Sequence, residues 1–129
     1  MLDKEKLNSL SASALSFVGD AVFSLFVRER LCAVYDYKSG ELTKKAAFIV
    51  SACNQSAILG RIEGLLTEEE LAVVRRCRNA YSKTGAKNAS AAEYHRASGL
   101  EGLLGYLHLA GESERLGIVL GECVCTERV

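Results

Sequence analysis

Two carboxylates in this chain stand where a carboxylate is costly. Asp20 falls inside the apolar run from Leu15 to Val27, and Glu101 inside the run from Gly99 to Leu107. Taking an ionised carboxylate out of water costs several kcal/mol unless a cation or a hydrogen-bond network compensates. Two such groups on helix faces that pack together would suit a divalent metal between them, since hard cations take oxygen ligands. A metal held that way can activate water and stabilise charge on a phosphate ester. Plainer readings stand beside this one. Asp20 could be a buried aspartate satisfied by a neighbouring helix end, and Glu101 the capping-box partner of Ser98, three residues before it. Gly19, Gly99, Gly102 and Gly105 keep the metal reading open. A mid-helix glycine costs about 1 kcal/mol against alanine, a cost that makes sense where another backbone or a substrate must come close.

The second candidate is a charge pattern. No acidic residue occurs from Leu71 to Ala92, yet that window holds Arg75, Arg76, Arg78, Lys83 and Lys87 in a chain of zero net charge. Complementation of a helix C-terminus explains the arginines better than the lysines. The functional reading is a basic loop that tracks phosphates, with Asn79, Ser82, Thr84 and Asn88 as further donors. His95 and His108 lack a paired ligand at helical spacing and read as surface or packing residues. No phosphate-binding loop, dinucleotide fingerprint or serine-hydrolase elbow is present.

The elements that must position these residues are helical. The 129 residues suit one domain, and about half are apolar, enough for a core. There is no proline, so nothing forces a helix to break. Zero net charge and a pI near 6.7 leave any nucleic-acid binding to a local patch. Met1 to Asn8 is short and charged, unlike a signal peptide, and no apolar run approaches the roughly 20 residues of a membrane span. The five cysteines form no disulfide scaffold. Cys53 and Cys77 fall at apolar helical positions and read as core, while Cys123 and Cys125 lack partner ligands for zinc. Reduced thiols suit the cytoplasm.

The spacing predicts five or six helices. The first runs from about Ser11 to Cys32 on a stripe of Leu15, Val18, Val22, Leu25 and Phe26. The second runs from about Glu41 to Ile62 on Leu42, Ala46, Ile49, Val50, Cys53 and Ala57. Thr67 to Glu70 is a capping-box start for a third, ending near Asn79 and carrying Leu71, Val74 and Cys77. Ala80 to Ala89 reads as a loop. Ser90 with Glu93 opens a helix to about Arg96, and Ser98 with Glu101 another to Ala110, which Gly111 stops. A last helix covers about Ser113 to Cys123.

Assembled, these residues resemble a known family. Phe17-Val18-Gly19-Asp20-Ala21-Val22 is similar to the signature segment of the ribonuclease III catalytic domain, and the run from Leu100 to Leu107 resembles that domain's second acidic helix. Arg78-Asn79-Ala80 and Lys87-Asn88, followed by Tyr94, resemble more narrowly the Mini-III group, which lacks a double-stranded-RNA-binding domain. The resemblance spans about Leu7 to Val124. It implies an all-α, ribonuclease III endonuclease-domain-like helical bundle over residues 1–129. It also implies a cytoplasmic homodimer that hydrolyses double-stranded RNA with magnesium, leaving 5′-phosphate and 3′-hydroxyl ends. The Mini-III group is associated with trimming the ends of precursor 23S ribosomal RNA. Carried over, Asp20 takes the catalytic aspartate position and Glu101 the metal-binding glutamate position, while Phe17 falls at the dimer contact. Ser16 and Ser98 stand where full-length ribonuclease III carries further acids, which leaves open how many metals act. Arg75, Arg76, Arg78, Asn79, Lys83, Lys87 and Asn88 are the expected RNA contacts. The absent binding domain predicts salt-sensitive affinity or help from a ribosomal protein. The competing expectation is a non-catalytic helical RNA-binding module on ribosomal precursors.

Overall fold

A computed structural model describes residues 1–36, 38–80 and 90–124. Among them are seven α-helices and no strand: α1 (Lys4–Ser9), α2 (Ala12–Val34), α3 (Ser39–Ile49), α4 (Ala52–Ile62), α5 (Glu68–Asn79), α6 (Ala91–Leu109) and α7 (Ser113–Cys123). A short 3-10 turn, Glu63–Leu65, joins α4 to α5. The all-α expectation holds. No helix among the described residues is long and apolar enough to cross a membrane.

The chain is built around α6. This helix packs against α2, α4, α5 and α7 and buries Leu100, Gly102, Leu103, Leu104, Gly105 and Leu107 around most of its circumference. The main core gathers Phe23, Val27, Leu31, Ile58, Leu59, Leu100, Leu103 and Leu104. A smaller cluster of Leu7, Leu15, Val73 and Cys77 lies at its edge. Two capping boxes fix helix starts as the spacing predicts. Thr67 and Glu70 exchange bonds at the head of α5, and Ser90 and Glu93 do the same for α6. Gly111, with φ at +75°, ends α6 in a left-handed turn that favours glycine.

Three expectations are corrected. The predicted second helix is two helices, because Val50, with ψ at 4°, ends α3 as its C-cap and Ser51 caps α4 by accepting from the Asn54 N–H at 3.2 Å. That break resets the phase. Cys53 and Ala57 turn outward, and Gln55, Ser56, Ile58, Leu59 and Ile62 turn inward. The two helices expected around Arg96 are one, so Ser98 is a mid-helix residue and not a cap. In α2 the inward stripe is Leu15, Gly19, Phe23, Val27 and Leu31, while Leu25 faces out. The N-terminal α1, capped by Asp3, had no counterpart in the expected set.

Candidate active site

The site begins at a backbone contact. A Cβ added to Gly19 would lie 1.6 Å from the Glu101 carbonyl oxygen, and one added to Gly105 would lie 2.0 Å from the Leu15 carbonyl oxygen. Helices α2 and α6 therefore cross at a distance that only glycine permits at both positions. Asp20 follows Gly19 directly, and Glu101 is the residue whose backbone Gly19 meets. The contact that demands glycine thus also sets the two carboxylates side by side. Ser16 Oγ donates to the Ser98 carbonyl at 2.9 Å and ties the same two helices one turn away. The bland reading of Glu101 as a cap partner of Ser98 falls with this geometry.

The two carboxyls differ in setting. Asp20 is exposed, contrary to the expectation of a buried acid, because it sits about 100° around α2 from the inward Gly19. Glu101 is partly buried. Burial pushes its carboxyl up to about 7, the Gln55 amide beside it opposes that rise, and the charge and hydrogen bonding of Asp20 add to it. Gln55 is 1% exposed. Its Nε2 donates to Glu101 Oε2 at 3.1 Å and to the Val50 carbonyl at 2.8 Å. Its Oε1 is buried without a partner. Sequence reasoning missed Gln55 because a continuous helix from Glu41 puts it off the apolar stripe. The signal that could have found it is Ser51 as an N-cap, after which position 55 turns inward.

Comparison with known proteins bears on this arrangement. The ribonuclease III domain model matches residues 13–112, which include the crossing and both carboxylates. The Mini-ribonuclease 3 of Thermoanaerobacter sp. (strain X514) is 44% identical over 120 residues, 93% of this chain and 84% of that one. The Mini-ribonuclease 3 of Enterococcus faecalis is 40% identical over 126 residues, 96% and 93% of the two chains. A crystal structure of a Fusobacterium nucleatum protein superposes with a TM-score of 0.83 at 28% identity, covering 92% of this chain and 95% of that one. The chain belongs to the ribonuclease III domain family. It is accordingly an endoribonuclease, of a family whose nucleases use a divalent metal.

The residues present fit such a metal. Two carboxylates side by side offer hard oxygen donors. Burial, with the neighbouring charge of Asp20, pushes one of them up to about 7, and a cation beside both would favour its ionised form against that rise. The unpartnered Oε1 of Gln55 adds a polar atom close behind them. No third histidine, cysteine or acid joins the pair among the described residues.

The expected phosphate contacts of this ribonuclease III domain divide. Arg75 and Arg76 are exposed on α5, and the Arg76 guanidinium donates to the Leu10 carbonyl. Arg78 Nε donates to Asn79 Oδ1 at 3.3 Å at the end of α5. Arg78 and Asn79 line an open cleft of about 430 Å³ with Ala92, His95 and Arg96. His95, read from sequence as a surface or packing residue, thus belongs to the cationic end of the molecule. Its Nδ1 is buried without a partner. Arg96 reaches across to the Ser56 hydroxyl at 3.0 Å and to Glu63 at 3.3 Å. Lys83, Lys87 and Asn88 lie outside the described residues. Phe17 is 81% exposed and Leu25 59%, and with exposed Ala21 they form an outward apolar line at four-residue spacing on α2.

Proposed function

We propose that this chain is a magnesium-dependent endoribonuclease that cleaves double-stranded RNA to 5′-phosphate and 3′-hydroxyl ends. Its proposed task is maturation of the 5′ and 3′ ends of precursor 23S ribosomal RNA in the cytoplasm. The observation that carries this reading is the juxtaposition of Asp20 and Glu101 across the Gly19 contact. A non-catalytic RNA-binding module would give that pair no work.

In this reading Asp20 and Glu101 hold the cation. Magnesium bound there supplies an activated water and charge stabilisation at the scissile phosphate. The protein's part is positional. The Gly19 and Gly105 contacts fix the carboxylates against each other, the exposed side of Asp20 leaves room for a phosphate, and Glu101 must release its proton to bind metal. Arg75, Arg76, Arg78, Asn79, Lys83, Lys87 and Asn88 would grip the RNA backbone. A-form RNA is recognised mainly by shape, phosphate and 2′-hydroxyl contacts, so little sequence reading is expected. The outward line of Phe17, Ala21 and Leu25 supports a homodimer, since a contiguous apolar face is covered more favourably than left in water. Two-fold symmetry would then provide one site for each strand. A ribosomal protein is a proposed helper in presenting the precursor.

The test is cleavage of a labelled RNA duplex, with magnesium and chelator lanes, a single-stranded control and Asp20→Asn. Magnesium-dependent cutting confined to the duplex, lost by at least about 100-fold in Asp20→Asn while duplex binding persists, is the expected result. Cutting that survives chelation or Asp20→Asn would sink this assignment.

A further inference from the structure

Gln55 is built more expensively than a packing residue needs to be. It sits in the first turn of α4 and is fully buried, where leucine or methionine would fill the volume without polar cost. Both of its amide hydrogens are spent, one on the Val50 carbonyl and one on Glu101 Oε2. Exchanging the amide oxygen and nitrogen would turn an acceptor toward both of those acceptors, so the orientation is fixed. Its Oε1 is left buried and unpaired, a state native interiors rarely tolerate without a reason. A purely structural role would be met by the Val50 bond, which holds the α3–α4 break. The bond to Glu101 reaches 46 residues along the chain into the site.

We propose that Gln55 is a positioning residue for the metal site. Its amide grips one oxygen of Glu101 and anchors it to the Val50 carbonyl, so the carboxylate is presented toward Asp20 in one orientation. This rests on the reading of Asp20 and Glu101 as metal ligands. Ligating carboxylates are commonly held by such hydrogen bonds, and losing the outer partner typically costs about 10- to 100-fold in metal affinity or activity. Gln55 is not itself a ligand here, and no role in binding RNA is assigned to it.

The experiment measures manganese binding to the full chain by electron paramagnetic resonance, without RNA, for wild type, Asp20→Asn and Gln55→Met. Methionine keeps the length and volume of glutamine and removes its donors. The expected result is binding in the wild type, loss in Asp20→Asn, and a Kd about 10- to 100-fold weaker in Gln55→Met. Duplex affinity in chelator should be unchanged in Gln55→Met, and kcat should recover at saturating metal. Unchanged metal affinity in a folded Gln55→Met, with Asp20→Asn still abolishing binding, overturns the role of Gln55 and spares the metal site. Binding that survives Asp20→Asn overturns the metal site itself and this inference with it. A second measurement needs no variant. Magnesium titrated into the ¹⁵N-labelled wild type should shift the Gln55 side-chain amide resonances, and a silent Gln55 amide overturns the proposal even if Gln55→Met does not fold.

Discussion

Removing the charge of Glu101 should make this protein more stable, by an amount that depends on pH. The carboxyl is pushed from an ordinary 4.5 up to about 7, first by burial. A raised folded-state pKa means the folded chain holds its proton more tightly than the unfolded chain. The stability this contributes is complete below pH 4.5 and is lost as pH rises through 7. At pH 8 nearly the whole difference of 2.5 pH units between those two values is lost, about 3 kcal/mol at 1.36 kcal/mol each. At pH 5 the loss is under about 1 kcal/mol by the same linkage. Glu101→Gln keeps the shape and can still accept from the Gln55 amide, but never ionises. In chelator it should therefore exceed wild type by about 3 kcal/mol at pH 8, a melting shift of roughly 12 °C for a chain of this size, and by roughly 3 °C at pH 5. Thermal and urea melts across that range measure it directly.

Magnesium supplies the complementary arm. A cation beside Asp20 and Glu101 should return the lost stability to wild type, about 2.7 kcal/mol at one hundred times its Kd, and give nothing to Glu101→Gln. The substitution should at the same time abolish cleavage, so stability and function move in opposite directions. A difference between variant and wild type that stays flat from pH 5 to pH 8 would refute the reasoning. It would mean that Glu101 titrates as an ordinary surface acid and that burial does not set its charge.

Three further outcomes follow from other parts of the molecule. Gly19→Ala places a Cβ 1.6 Å from the Glu101 carbonyl oxygen, so α2 and α6 must part. A loss of about 3 kcal/mol with reduced magnesium binding is expected, and a melting temperature within a degree of wild type would contradict the close crossing. Arg115→Met breaks a 2.7 Å pair with buried Glu70 and should cost about 2 kcal/mol, the arginine being partly exposed. The Arg115 guanidinium, ahead of other causes, holds Glu70 below its ordinary 4.5. That stability is present above pH 4.5 and is lost as pH falls through the lowered value, so urea midpoints of the two proteins should converge in acid. Phe17→Glu introduces a charge into the exposed line of α2 and should convert a dimer to a monomer by sedimentation, with cleavage falling in parallel. A wild type that sediments as a monomer at micromolar concentration would remove the proposed two-fold arrangement.

Much of this architecture was legible in the sequence, and the failures share one cause. Thr67 with Glu70 and Ser90 with Glu93 announce helix starts because a capping box is local chemistry, complete within four residues. Asp20 and Glu101 are visible because a carboxylate inside an apolar run stands out in the sequence, although only Glu101 is drawn partly out of water. Phase was not legible. With no proline to mark the break at Val50, a single apolar stripe runs through what are two helices, which puts Cys53 on the core side and leaves Gln55 off it. Ser98 with Glu101 repeated the spacing of a cap inside a helix already begun at Ala91, and only the packing of α6 distinguishes the two. The outward turn of Asp20 is also a matter of phase, since lying within an apolar run does not fix which way a residue faces, and Asp20 sits about 100° round α2 from the inward Gly19.

The division of α2 into faces lets one helix serve core, site and surface at once. On α2 the inward residues recur every four positions from Leu15 to Leu31, and Gly19 is the gap in that line through which α6 comes close. Asp20 lies one position round from the gap, beside Glu101, and Phe17, Ala21 and Leu25 lie on a line that remains in water. A larger residue at 19 would improve the hydrophobic stripe and push the carboxylates apart. A polar residue at 17 would improve the isolated surface and remove the proposed partner contact. Glycine inside a helix and phenylalanine outside it are each unfavourable for a single folded chain. Both costs are accounted for if the crossing of α2 and α6 makes the proposed metal site and the outward line of α2 makes the proposed dimer contact.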